Sequence, residues 1–209
     1  MNFPPDWDED IPPGRLAEFR ALVGHVHQEI LATAARAVLA SDDPCRWHGA
    51  LFRTLVPLHY YAGNYRGDVP GMPCLAILVW VGGIPGSDYP IVRQHIDFVF
   101  ESARVQIGAL ELRWPQLDSP ERASQLATIV ANLVGGFIRI HPFVNGNGRI
   151  SRFLWRWCLM RFGVPVQCCV HPRPDPPYGQ LMHHAMRGDY RPLALFVLTH
   201  LSAHAPRRN

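Results

Sequence analysis

Apolar residues recur at helical spacing along most of the chain. Between Arg15 and Ala40, the positions Leu16, Phe19, Leu22, Val23, Val26, Ile30 and Leu31 fall on one face, which predicts a helix. The run Ser41–Pro44 stops it and caps a second helix over about 45–60, with Leu51, Leu55 and Leu58 on one side. "GNYRGDVPG" (63–71) is loop by its glycine and proline content. Leu75–Val81 is apolar over a strand's length, and "GGIPGSDYP" after it can turn the chain, so 74–90 reads as a hairpin or flap. Helix resumes over 91–112, with Val92, Ile96, Val99, Phe100 and Ala103 on one face. Ser119 as N-cap and Pro120 at the first helical position open a helix to about Ile140. That helix is apolar around most of its circumference, which predicts a central, buried position. A further helix runs from about Gly148 to Phe162, where Gly163 and Pro165 end it. "HPRPDPP" (171–177) reads as a stiff extended connector, and helices over about 178–187 and 192–203 complete the pattern. The expected class is all-α, a helical bundle with one small β-hairpin. Residues 1–209 read as a single domain with an N-terminal helical extension (14–40), a core (about 45–165) and C-terminal helices (about 178–203).

Composition supports a packed core. Of 209 residues, 48% are hydrophobic and 18% charged. The net charge is +3, and all 20 basic side chains are arginine with no dense basic block, so direct nucleic acid binding is not expected. Five cysteines (Cys45, Cys74, Cys158, Cys168, Cys169) at irregular spacing, with no CxxC, argue for a reducing compartment and against a zinc site. The acidic, proline-rich "MNFPPDWDEDIPPGR" is unlike a secretory signal, and no apolar run is expected to reach membrane-spanning length. A cytoplasmic protein with no membrane contact is the expectation.

The chemistry concentrates in "HPFVNGNGRISR" (141–152). His141 follows the buried helix, and Pro142 disfavours helical backbone at it, so a base emerges at the edge of the core. Phe143 is apolar and anchors the loop. Gly146, Asn147 and Gly148 offer backbone free to take positive φ, with amides turned into a concavity directly before a helix, a site for phosphate. Arg149 and Arg152 lie three apart in the first turn and oppose the helix dipole unless an anion lies between them. A nucleotide's phosphate chain is the natural anion. A type I′ hairpin turn is the plain alternative for "NGNG", but Pro142 is poor in a paired strand. Trp155 and Trp157 read as core or as nucleobase-pocket walls, and Arg156 as solvated.

His141-Pro142-Phe143-x-x-Gly146-Asn147-Gly148-Arg149-x-x-Arg152 resembles the signature of the Fic (filamentation induced by cAMP) family. "YYAGNYR" (60–66) is similar to the segment before that family's flap, and the resemblance covers roughly 45–165. It implies a protein nucleotidylyltransferase that moves AMP from ATP onto a Ser, Thr or Tyr hydroxyl, with His141 as general base. Gly146, Asn147 and Gly148 would cradle the phosphates, and Arg149 and Arg152 would hold the β- and γ-phosphates. The flap at about 74–90 would align a protein substrate by strand addition. The family pattern carries Asp or Glu where this chain has Asn145, as the ligand of a Mg²⁺ on the phosphates. An amide binds Mg²⁺ more weakly than a carboxylate. Asn145 therefore leaves two alternatives open: a transferase with another nucleotide or phosphate-containing donor, or a catalytically impaired nucleotide- or partner-binding subunit. None of the six glutamates precedes Gly or Asn, so the family's built-in inhibitory motif is not found in its usual form, which leaves open a separate antitoxin-like inhibitor or a slow enzyme that needs no restraint.

Overall fold

The computed structural model describes Trp7 and residues 11–35, 38–72, 75–164 and 177–203. Its elements in chain order are α1 (Leu16–Ala34), α2 (Asp43–Phe52), β1 (Trp80–Val81), β2 (Ile84–Pro85), α3 (Val92–Arg113), α4 (Ser119–Ile140), α5 (Asn147–Arg161), α6 (Tyr178–Met186) and α7 (Arg191–Ala203). The helical class and the small hairpin are as the periodicity predicts. The extended connector expected at 171–177 lies, but for Pro177, outside the described residues.

α4 is the axis of the bundle, and α3, α5, α6 and α7 all pack on it. Its apolar circumference explains this, since Val130, Val134 and Phe137 are fully buried and leave no wet face along that length. Paired glycines let neighbours approach closely. A Cβ at Gly135 would lie 2.4 Å from the Tyr190 ring, and one at Gly136 would lie 3.0 Å from Val99. The helix starts one residue earlier than Ser119 implies. Asp118 is the N-cap and forms a capping box with Glu121, accepting from Glu121 N at 2.8 Å. Contrary to the sequence expectation, α4 does have the length and mean hydropathy (1.3) of a membrane-crossing helix, and in this fold that apolar surface faces the other helices.

Two predicted elements are shorter in the structure. The helix expected over 45–60 ends at Phe52, where Leu55 N and Val56 N both turn back onto the Phe52 carbonyl (2.8 and 3.1 Å) ahead of Pro57. The strand expected over 75–81 pairs only at Trp80–Val81, with Trp80 opposite Pro85 and Val81 opposite Ile84. Past Pro85 one further bond follows, from Gly86 N–H to the Val79 carbonyl (2.9 Å); Ser87 N–H then turns to the Ile140 carbonyl (3.0 Å) and the Ile77 carbonyl is taken by Arg66, so the ladder stops. The hairpin turns through Gly82 and Gly83, both with positive φ (55° and 79°), as a two-residue hairpin loop requires. Val81 and Ile84 pack on Ile138, Ala185 and Met186, which seats the flap across the end of α4 and on α6.

Candidate functional site

The site forms where α4 ends and α5 begins. His141 caps α4 in the left-handed region (φ 53°, ψ 60°) and is the one non-glycine residue with positive φ among those described. Its N–H donates to the Phe137 carbonyl at 3.0 Å, which turns the chain out of the helix and fixes the imidazole beside the flap. The flap backbone approaches closely: a Cβ at Gly86 would lie 2.9 Å from the Ile140 oxygen and 3.0 Å from His141 Cβ. Burial and then the positive Arg66 push the His141 pKa down to about 4, opposed by the Ile138 carbonyl. The ring is therefore neutral near pH 7, with Nδ1 buried and without a partner in hydrogen-bonding geometry among the described residues.

The loop from Pro142 to Gly146 is held from three directions. Phe143 is fully buried, stacked on His48 with ring centroids 3.9 Å apart. The Asn147 side chain grips the Phe143 backbone at both ends, accepting from its N–H and donating to its carbonyl, each at 2.9 Å. Asn147 thus offers a phosphate only its backbone. His48 Nε2 donates to the Asn145 carbonyl at 3.0 Å while Nδ1 accepts from Gly63 N at 3.0 Å. Those two partners fix a neutral tautomer.

Gly146 is the N-cap of α5 with φ 80°, and a Cβ there would lie 2.6 Å from Phe52 and 3.0 Å from His48. No other residue fits. Gly148, by contrast, is helical and open, with only Arg152 Nη1 at 3.7 Å from a Cβ placed there. The sequence expectation of positive φ across "GNG" therefore holds at Gly146 alone; the N-terminal amides of α5 come from an ordinary helical turn.

Arg149 and Arg152 sit on the first turn of α5 and are 5% and 6% exposed. Arg149 lies over the Phe19 ring at 4.7 Å and Arg152 over the Tyr178 ring at 6.0 Å. The Arg152 Nε is buried with no hydrogen-bond partner among the described residues. A buried guanidinium at a helix N-terminus is unfavourable without an anion. Trp155 and Trp157 are core. Arg156, expected in solvent, is half-buried and close enough to His27 to help depress its pKa after burial.

Asn145 has both ends of its carboxamide engaged by backbone. Oδ1 accepts from Gly146 N and Nδ2 donates to the Trp7 carbonyl, both at 2.6 Å. The amide is neutral and both its ends are engaged, and no group of three His, Cys, Asp or Glu side chains suited to a metal ion occurs among the described residues. This donor set does not fit a protein-held divalent cation; binding one at Asn145 requires the carboxamide to leave both bonds.

Three residues that shape the site carried no assigned role in the sequence reading. Arg66 is fully buried. Its guanidinium donates to the carbonyls of His141 (2.9 Å), Ile77 (2.7 Å), Ser87 (2.7 Å) and Ile140 (3.1 Å), and its N–H to that of Pro142 (2.8 Å). It ties the flap to the end of α4. Its position in "YYAGNYR" was the available signal. His48 and Trp7 had none, because their partners lie 97 and 138 residues away in sequence.

Burial holds the His48 pKa down to about 3, partly offset by its bond to Asn145. The folded value is below the ordinary 6.5, so the unfolded chain binds the extra proton between those two pH values. Stability is full above about 6.5 and is lost as pH falls towards about 3. His48→Gln is expected to flatten the fall of urea midpoint with pH over that window; an unchanged slope would show that His48 is not the titrating group.

A family model described as Fic/DOC family matches residues 38–159. The chain is similar to the protein adenylyltransferase Fic of Drosophila virilis, 40% identical over 60 residues, which is 29% of this chain and 12% of that protein. It is also similar to protein adenylyltransferase fic-1 of Caenorhabditis elegans, 38% identical over 71 residues, 34% of this chain and 14% of that one. Each matched stretch thus spans less than a sixth of the relative's length. Among solved structures, BepC, a VirB-translocated effector of Bartonella tribocorum crystallised with AMPPNP, shares the fold. Its TM-score is 0.54 at 16% identity, over 90% of this chain and 87% of that one.

Proposed function

The chain belongs to the Fic/DOC family, and from that membership we propose that it is a protein adenylyltransferase, moving AMP from ATP to a Ser, Thr or Tyr hydroxyl of a target protein. The observation that carries the reading is the pair of buried arginines, Arg149 and Arg152, at the N-terminus of α5, one of them with an unpartnered Nε. An anion there would give the Arg152 Nε the partner it lacks among the described residues. A triphosphate supplies it, with the amides of Asn147 and Gly148 and the tight turn at Gly146 beneath the phosphates. The arginines hold the β- and γ-phosphates and neutralise the departing pyrophosphate. His141 takes the proton of the target hydroxyl as it attacks the α-phosphorus. The flap aligns the target chain by adding it to the short hairpin. The relatives named protein adenylyltransferases and the AMPPNP bound to BepC support ATP as the donor. A separate inhibitor carrying a carboxylate for Arg152 and a cytoplasmic setting complete the reading.

The orientation of Asn145 favours a second reading, in which the chain binds a nucleotide without transferring it, or accepts another donor. Incubating the chain with ATP, GTP, UTP and CTP in turn, with a lysate and with Mg²⁺ or Mn²⁺, separates these by intact mass and thermal shift. A protein-bound AMP adduct from ATP is the expected result. Thermal stabilisation with no adduct from any donor overturns transferase activity in favour of binding, and an adduct from another donor alone overturns the choice of ATP.

A further inference from the structure

The outward face of α3 carries Ile91, Phe98, Val105 and Leu112, each seven residues from the next. They are 39%, 74%, 63% and 81% exposed. The inward face of the same helix is satisfied separately, by Val92, Ile96, Phe100, Ala103, Ile107 and Leu110. The outward stripe therefore plays no part in this chain's core. Isolated exposed apolar residues are ordinary, but large ones repeating every seven positions over a whole 22-residue helix form a continuous seam. A strict seven-residue period is what keeps a seam facing a second helix as the two wind around each other. Of the positions between, Ser102, Gly108 and Ala109 are small, while Gln94, His95 and Glu101, the last paired with Arg104 of its own helix, are polar.

We propose that α3 pairs with α3 of a second copy of this chain as an antiparallel, two-fold symmetric helix pair. The stripe is self-complementary in that direction. With the axis between Glu101 and Ser102, Phe98 of one copy faces Val105 of the other, and Ile91 faces Leu112, so large residues meet at every layer. The flanking charges agree. Asp97 and Arg104 lie on the same edge of the stripe, and reversal of one helix brings Asp97 of each copy beside Arg104 of the other, twice by symmetry. α3 packs mainly on α4 and meets α5 through the Glu111–Arg161 ion pair, at the end of α5 away from Arg152, so the pairing leaves the His141 and Arg152 site of each copy uncovered.

Sedimentation of the full chain over a concentration series tests this. A concentration-dependent dimer is expected, and Phe98→Glu with Val105→Glu should give a monomer with an unchanged melting temperature, since both side chains stand in solvent in the single copy. Asp97→Arg should weaken the dimer, and Asp97→Arg with Arg104→Asp should restore it. Ser102→Cys, next to the axis, should give a reducible self-crosslink that neither the parent chain nor Ile91→Cys gives. A wild-type monomer throughout the series, a dimer that survives the double glutamate variant, or a self-crosslink at position 91 in place of 102 would each overturn the proposal.

Discussion

His141→Ala is expected to lower AMP transfer by about 10²–10⁴-fold, the usual contribution of a positioned general base. Thermal stabilisation by nucleotide should persist, because in the proposed reading the phosphate contacts come from the α5 amides, Arg149 and Arg152. The division follows from the site's construction: the base caps the end of α4, and the anion groups belong to the next helix. A pH profile adds a second test. Burial and Arg66 hold the His141 pKa at about 4, below its ordinary 6.5, so the ring is already deprotonated at mildly acid pH. The acid limb of kcat/KM, which reports the free enzyme, should therefore fall through about 4 rather than about 6.5. Transfer that survives His141→Ala would remove His141 from the reaction, and an acid limb near 6.5 would contradict the buried ring described here.

Arg66→Ala is the substitution expected to cost the most stability. The side chain is fully buried and satisfies four carbonyls from three segments: Ile140 and His141 at the end of α4, Ile77 ahead of the hairpin, and Ser87 after it. Burial lowers its pKa to about 10, so it stays charged at neutral pH, and the carbonyl dipoles at the α4 C-terminus are its counter-charge. Truncation takes that donor from the Ile77, Ser87 and His141 oxygens, while Ile140 keeps the Ser87 N–H, and it empties a guanidinium-sized space. Losses of this kind run to about 3–5 kcal/mol, which for a chain of this size lowers the melting temperature by on the order of 10 °C. Arg66→Lys should recover only a minor part, since an ammonium has three donors on one atom and cannot span carbonyls arranged around a planar fork. Urea denaturation of both variants checks this; a loss in Arg66→Ala of less than about 1 kcal/mol, the worth of one ordinary hydrogen bond, would show that the clamp is not holding the flap. The same clamp couples stability to function, because the flap it secures lies beside His141.

The helices were legible because their periodicity is local: α3, α4 and α5 each write their buried face into the spacing of their own apolar residues. The motif was legible for the same reason, since turn glycine, helix start and paired arginines are all set within a dozen residues. The β1 strand was over-read because an apolar run does not say where its backbone partners will be: Ser87 N–H goes to the Ile140 carbonyl and the Ile77 carbonyl to Arg66. Positive φ was expected across "GNG" and occurs at Gly146 alone, where Phe52 and His48, from a helix nearly a hundred residues earlier, leave no room for a side chain. Asn145 was open in sequence, and its hydrogen bonds to Gly146 and Trp7 became visible only once the chain was folded.

By itself the sequence determined a helical bundle around one apolar helix, a short flap, and a base followed by an anion-binding helix start. Each of these depends on neighbours a few residues apart, where backbone preference and side-chain spacing act directly. Only the tertiary structure decided that His141 is a neutral ring in a left-handed cap, that Arg66 joins the flap to it, that His48 bonds the loop at the Asn145 carbonyl, and that the Asn145 amide is held between Gly146 and Trp7. Those outcomes depend on burial and on hydrogen-bond partners distant in sequence, and no local pattern encodes which carbonyl a buried side chain will meet.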